Sequence, residues 1–61
     1  MKKKIVTIVL TFNSEATIKK VILAAKKISK NVVICDSFSN DSTIKIAKLL
    51  HCKIFYKKFI N

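Results

Sequence analysis

The chain has 61 residues and a formal net charge of +10, from 13 basic residues set against three acids. At that length it is one domain at most, near the lower limit for folding alone, where about 60% of the unfolded surface is buried. Its apolar half argues against disorder, and the absence of Gly and Pro excludes the glycine-rich loops that cradle phosphates.

The charge raises nucleic-acid binding as a function. Every basic residue is Lys, however, and none is Arg, the residue suited to bidentate recognition of phosphate and guanine. Lys, Ile and Asn share AT-rich codons, so base composition alone can produce the balance. A solvated lysine surface is expected and no nucleic-acid partner. The alternative function is a small basic protein that binds nucleic acid or an anionic membrane.

Residues 1–4 are a short basic start. Ile5 to Thr11 follows as a β-branched run and reads as a strand covered on both faces. It is too short for a secretory leader, and no stretch approaches the ~20 apolar residues of a membrane span. Phe12 to Glu15 breaks the strand. Asn13 or Ser14 is placed to cap a helix running to about Ser29, with Glu15 in its first turn. Ile18, Val21, Ile22, Ala25 and Ile28 form its apolar face, and Lys19, Lys20, Lys26, Lys27 and Lys30 the opposite one. Such a basic amphipathic helix can also lie on an anionic membrane surface.

The stretch VVICDSFSNDST, Val32 to Thr43, is a buried strand breaking into a polar turn at Asp36. A second helix is expected from about Asp41 to Leu50. Ser39 or Asn40 is its candidate cap, Asp41 suits its start, and His51 sits at its end in a structural role. Cys52 to Tyr56 reads as a third strand. Parallel strands would hold Cys35 and Cys52 at opposite ends of the sheet, so free thiols are expected rather than a disulfide.

The order is therefore β-α-β-α-β. Right-handed crossovers give an α/β fold with three parallel strands in order 3-2-1 and both helices on one face. That is one mononucleotide-binding half of a doubly wound fold. The loops Thr11 to Glu15 and Asp36 to Asn40 then share the carboxyl edge, where such folds bind ligands. Neither G-x-G-x-x-G nor G-x-x-x-x-G-K-[ST] is present. Asp36 has two readings, a turn residue satisfying loop amides or an acceptor for a nucleobase.

IVTIVLTFNSEATI resembles the opening of family 2 glycosyltransferases, and VVICDSFSNDSTIKIAKLL resembles that family's second strand and its Asp-Ser-x-Ser-x-Asp-x-Thr turn. The spacing between the two segments also fits. The DSFS form and the ending CKIFYKKFIN resemble the branch related to lipopolysaccharide-core glucosyltransferases. Leu10 stands where the family often has Pro, and Phe38 where it often has Gly.

The resemblance implies a Rossmann-like GT-A fold and a nucleotide-sugar donor, commonly a UDP-sugar. It implies nucleotide-binding positions at Thr11, Phe12, Glu15 and Asp36, with Phe12 near the nucleoside and Asp36 accepting from the base. Glu15 also reads as a helix-dipole residue and Phe12 as core. A divalent metal, Mg or Mn, is implied for the full-length family, on an Asp-x-Asp motif that residues 1–61 do not contain. The expectation is a truncated N-terminal nucleotide-sugar-binding half, inactive alone and cytoplasmic, with peripheral contact to the inner face of the membrane. Its edge strand Ile5 to Leu10 is expected to self-associate or to need a partner.

Overall fold

The computed structural model describes residues 5–59. Strand β1 spans Val6–Thr11, helix α1 Ile18–Ile28, strand β2 Asn31–Asp36, helix α2 Thr43–Leu49 and strand β3 Lys53–Tyr56. The sheet is parallel, with β2 between β1 and β3. This is the expected βαβαβ arrangement. Val6 pairs with Asn31, Thr11 with Asp36 and Asp36 with Tyr56, so the strands end level at their carboxyl edge.

Side chains alternate across a strand, and this alternation divides the sheet into unlike faces. Ile18, Ile22 and Ala25 of α1 and Ala47 of α2 pack with Val32 and Ile34 of β2. Val9, Ile46, Leu50, Cys52 and Ile54 close around them. Both helices thus share one face. Truncating fully buried Ile22 or Ile34 to Ala removes the centre of this cluster, a change that typically costs 2–5 kcal/mol. The other face has no covering layer among the described residues. Ile8 and Leu10 stand 64% and 66% exposed there, with Phe55 beside them at 55%. Covered on one face only, β1 has the composition of a strand meant for two layers.

The helices are shorter than their periodicity predicts. Residues 15–17 form a turn, and Ser14 C=O accepts from Thr17 N–H at 3.0 Å and Ile18 N–H at 2.8 Å. The buried stripe of α1 is Ile18, Ile22, Ala25 and then Ser29. Val21 and Ile28, expected on the apolar face, are exposed, Ile28 at 73%. On a helix of 3.6 residues per turn they lie about 70–90° off the centre of that stripe, on the flank opposite Lys19 and Lys26, which face α2. Ser29 extends the stripe because its hydroxyl bonds Ile5 C=O and accepts from Asn31 N–H, joining α1 to the starts of β1 and β2.

At the end of α2, His51 N–H donates to Lys48 C=O and Cys52 N–H to Ala47 C=O. This is a Schellman closure, which requires a left-handed residue and usually takes Gly. The chain has no Gly, and His51 takes the position at φ 59°. Its structural role is thereby explained. Cys35 and Cys52 are free, one near the carboxyl end of β2 and the other just before β3.

Candidate functional site at the carboxyl edge

The loops after β1 and β2 meet at the carboxyl edge and are laced together by side-chain-to-backbone hydrogen bonds. Three consecutive N–H groups of the first loop are accepted by the second. Asn13 N–H donates to Ser39 Oγ at 2.8 Å, Ser14 N–H to Thr43 Oγ1 at 2.8 Å and Glu15 N–H to Asp41 Oδ2 at 3.1 Å. The second loop is held in return. Asn40 N–H donates to Asn13 Oδ1 at 2.7 Å, and Ser42 N–H to Glu15 Oε1 at 3.4 Å.

Asp36 lies at the centre and is fully buried. Its Oδ1 accepts from the hydroxyls of Thr11 and Ser39, each at 2.6 Å, and its Oδ2 accepts from Ser39 N–H at 2.7 Å. A carboxylate has about four acceptor positions, so one on Oδ2 remains. Burial alone would raise its pKa. The Ser39 hydroxyl and N–H and the Thr11 hydroxyl more than offset this and hold the carboxyl below its ordinary value. Asp41 follows the same pattern, with desolvation outweighed by donors from Thr43 and Glu15.

The ladder continues past the strands around this corner. Ser37 N–H donates to Thr11 C=O, Lys57 N–H to Asp36 C=O, and Phe59 N–H to Ser37 Oγ. Two non-glycine residues here have left-handed backbones, Asn13 at φ 46° and Phe38 at φ 55°. Phe38 stands where the family it resembles often has Gly, and its φ shows why Gly suits that position. The Phe38 ring stacks on Tyr56 with centroids 5.8 Å apart.

The structure brings Thr11, Phe12, Glu15 and Asp36 to one edge but gives them different settings. Thr11 is buried and its hydroxyl faces Asp36. Phe12 lies outside the core cluster, 38% exposed. Glu15 precedes α1, so it does not serve that helix's dipole. Its carboxylate reaches Ser42, the residue that opens α2. Asp41 does serve the start of α2, accepting from Thr43 N–H at 3.0 Å, and it holds the first loop as well.

Asn13, Ser14, Ser39 and Asn40 are not helix caps. The helices α1 and α2 open at Thr17 and Ser42, and neither of these residues makes a side-chain cap bond. These residues, with Thr43, tie the loops to each other. Sequence reasoning assigned each polar residue to its own helix, because bonds spanning 26–29 positions leave no local periodicity.

Asp36, Thr11 and Phe12 line neither of two surface concavities among the described residues. One, between the helices, is lined by Glu15, Ala16, Lys19, Ile46, Leu49 and Leu50. The other lies at the opposite, amino edge of the sheet. Among the described residues, no group of three or more His, Cys, Asp or Glu side chains could hold a metal ion. No helix there is long and apolar enough to cross a membrane.

No protein-family model matches the chain, and no solved structure matches it. Three relatives from Rickettsia are similar in sequence, each an uncharacterized glycosyltransferase. The Rickettsia typhi protein is 40% identical over 58 residues, that of Rickettsia prowazekii 36% over 58, and that of Rickettsia bellii 35% over 60. These matches take in 95–98% of this chain and 20% of each relative. The chain therefore spans about one fifth of the length of the curated relatives it matches, and along nearly all of its own length it is similar to a glycosyltransferase segment.

Proposed function

We propose that residues 1–61 form the nucleotide-sugar-binding half of a family 2 glycosyltransferase, with a UDP-sugar as donor. The observation that carries this reading is the laced corner, where a buried carboxylate sits between two loops at the carboxyl edge of adjacent parallel strands. Phe12 offers its exposed ring to the nucleoside. Asp36 accepts the uracil N3–H on the remaining position of Oδ2, a charge-assisted hydrogen bond. Thr11 orients that carboxylate, Ser39 holds it in the free chain until the base enters, and Glu15 acts through the second loop. Because Asp36 is buried, entry of the base displaces the turn at Phe38 to Asn40.

Sugar transfer needs positive charge on the leaving diphosphate and a base for the acceptor. The side chains of residues 5–59 do not fit a metal site. All three acids instead hold loop donors at the corner. In this reading the chain recognises the donor, and a longer polypeptide supplies the metal ligands and the chemistry. The reading extends to a cytoplasmic place in cell-surface polysaccharide synthesis, with lipopolysaccharide the class implied by the DSFS turn.

Titration of the chain with UDP and UDP-glucose, followed by amide NMR, tests the proposal. Saturating shifts at Phe12, Asn13 and residues 36–40 are expected. Unmoved resonances at millimolar ligand overturn nucleotide binding by this chain.

A further inference from the structure

We infer that the amino edge of the sheet carries a second binding site, for a small phosphate-bearing anion. The site is independent of the nucleotide corner and lies at the other end of the strands. Lys26 from the last turn of α1, Lys30 from the link between α1 and β2, His51 from the turn after α2 and Lys53 from the start of β3 surround a concavity of about 230 Å³. Asn31 and Val32 of β2 form part of its wall.

The charge distribution singles out this concavity. The chain has only three acidic side chains, and all three are bound into the carboxyl-edge network. Three lysines and a histidine from two elements and two connections therefore converge with no carboxylate among the lining residues. Lys26 is fixed there by its hydrogen bond to Leu50 C=O, the last turn of α2. The C-terminal carbonyls of both helices offset part of this charge, as Leu50 C=O does for Lys26, and a bound anion would offset the remainder.

The chemistry selects the ligand class. Lysine ammonium groups act as point charges, which suits a tetrahedral phosphate better than the planar fork that arginine offers a carboxylate. The volume is below the roughly 300–1,000 Å³ of pockets for whole organic ligands, so an inorganic phosphate or a terminal phosphate group fits and a nucleotide does not. Such a phosphate can be free or can be the headgroup of an anionic lipid.

The test uses the full 61-residue chain and inorganic phosphate, with ionic strength held constant by chloride. Amide NMR is expected to show saturable shifts confined to Lys30, Asn31, His51 and Lys53. Lys30→Ser with Lys53→Ser is expected to weaken binding by about tenfold or more, since each removes a charged hydrogen-bond donor. Lys20→Ser with Lys45→Ser removes the same charge elsewhere and is expected to leave binding within about twofold. Non-saturating shifts spread over all lysines in the unmodified chain overturn the proposal, as does equal weakening by the two double variants. Co-sedimentation with phosphatidylcholine vesicles containing phosphatidic acid, lost in the Lys30/Lys53 variant, identifies a lipid headgroup. Saturable phosphate binding without co-sedimentation identifies a free phosphate.

Discussion

The two ends of this sheet are built from the same three strands and have opposite characters. The carboxyl end holds every acid in the chain and is closed by reciprocal hydrogen bonds between two loops. The amino end collects Lys26, Lys30, His51 and Lys53 around an open concavity. The net charge of +10 averages over both and describes neither. The polar network at one end fixes loop geometry, while the other gathers three lysines and a histidine with no carboxylate among them.

Asp36→Ala strikes the carboxyl end hardest. It removes three hydrogen bonds to a charged acceptor and leaves the Thr11 hydroxyl and the Ser39 donors without a partner. A loss of about 3 kcal/mol or more is expected, a large share of the stability of any small domain, and urea unfolding followed by circular dichroism measures it. Ser39→Ala removes one Asp36 donor and the acceptor for Asn13 N–H, and about 1–2 kcal/mol is expected in the same assay.

The depressed pKa of Asp36 sets the pH dependence. A carboxyl whose folded pKa lies below its unfolded one stabilises the fold fully above the unfolded value, which is near 3.8 here. That contribution is lost as pH falls through the folded value. Stability should therefore fall as pH drops below about 4, and Asp36→Asn should start less stable but respond more weakly over that range. An unchanged acid response would show that another group controls it.

The amino end should behave in the opposite sense. Lys30→Ser with Lys53→Ser relieves like-charge repulsion and is expected to stabilise by about 0.3 kcal/mol at low salt and not at all at high salt. A similar contrast separates the two faces of the sheet. Ile8→Thr with Leu10→Thr on the bare face should leave stability within about 0.5 kcal/mol. Sedimentation should show that it reduces concentration-dependent association through the exposed strand β1.

Much of the fold was legible because the strands are continuous apolar runs and parallel β-α-β units have one favoured hand. Asp36 stood out as an acid at the end of such a run. Three features were not legible for physical reasons. The cross-loop bonds of Asn13, Ser39 and Thr43 join residues far apart in sequence. The left-handed turns at Phe38 and His51 are taken by residues that do not announce them. Exposure of Val21 and Ile28 depends on how far the packed layer extends beside α1, which helical periodicity does not record.

Comparing UDP with its N3-methyl analogue tests the assigned role of Asp36 most directly, because the protein is unchanged and the one N–H assigned to Asp36 is replaced by a methyl group that can neither donate nor fit against the carboxylate. If the Asp36 carboxylate accepts that proton, the analogue binds about tenfold or more weakly, the size expected for one charge-assisted hydrogen bond, and the shifts at residues 36–40 shrink with it. Equal affinities for the two ligands would contradict base recognition by Asp36 and leave it as the residue that closes the turn.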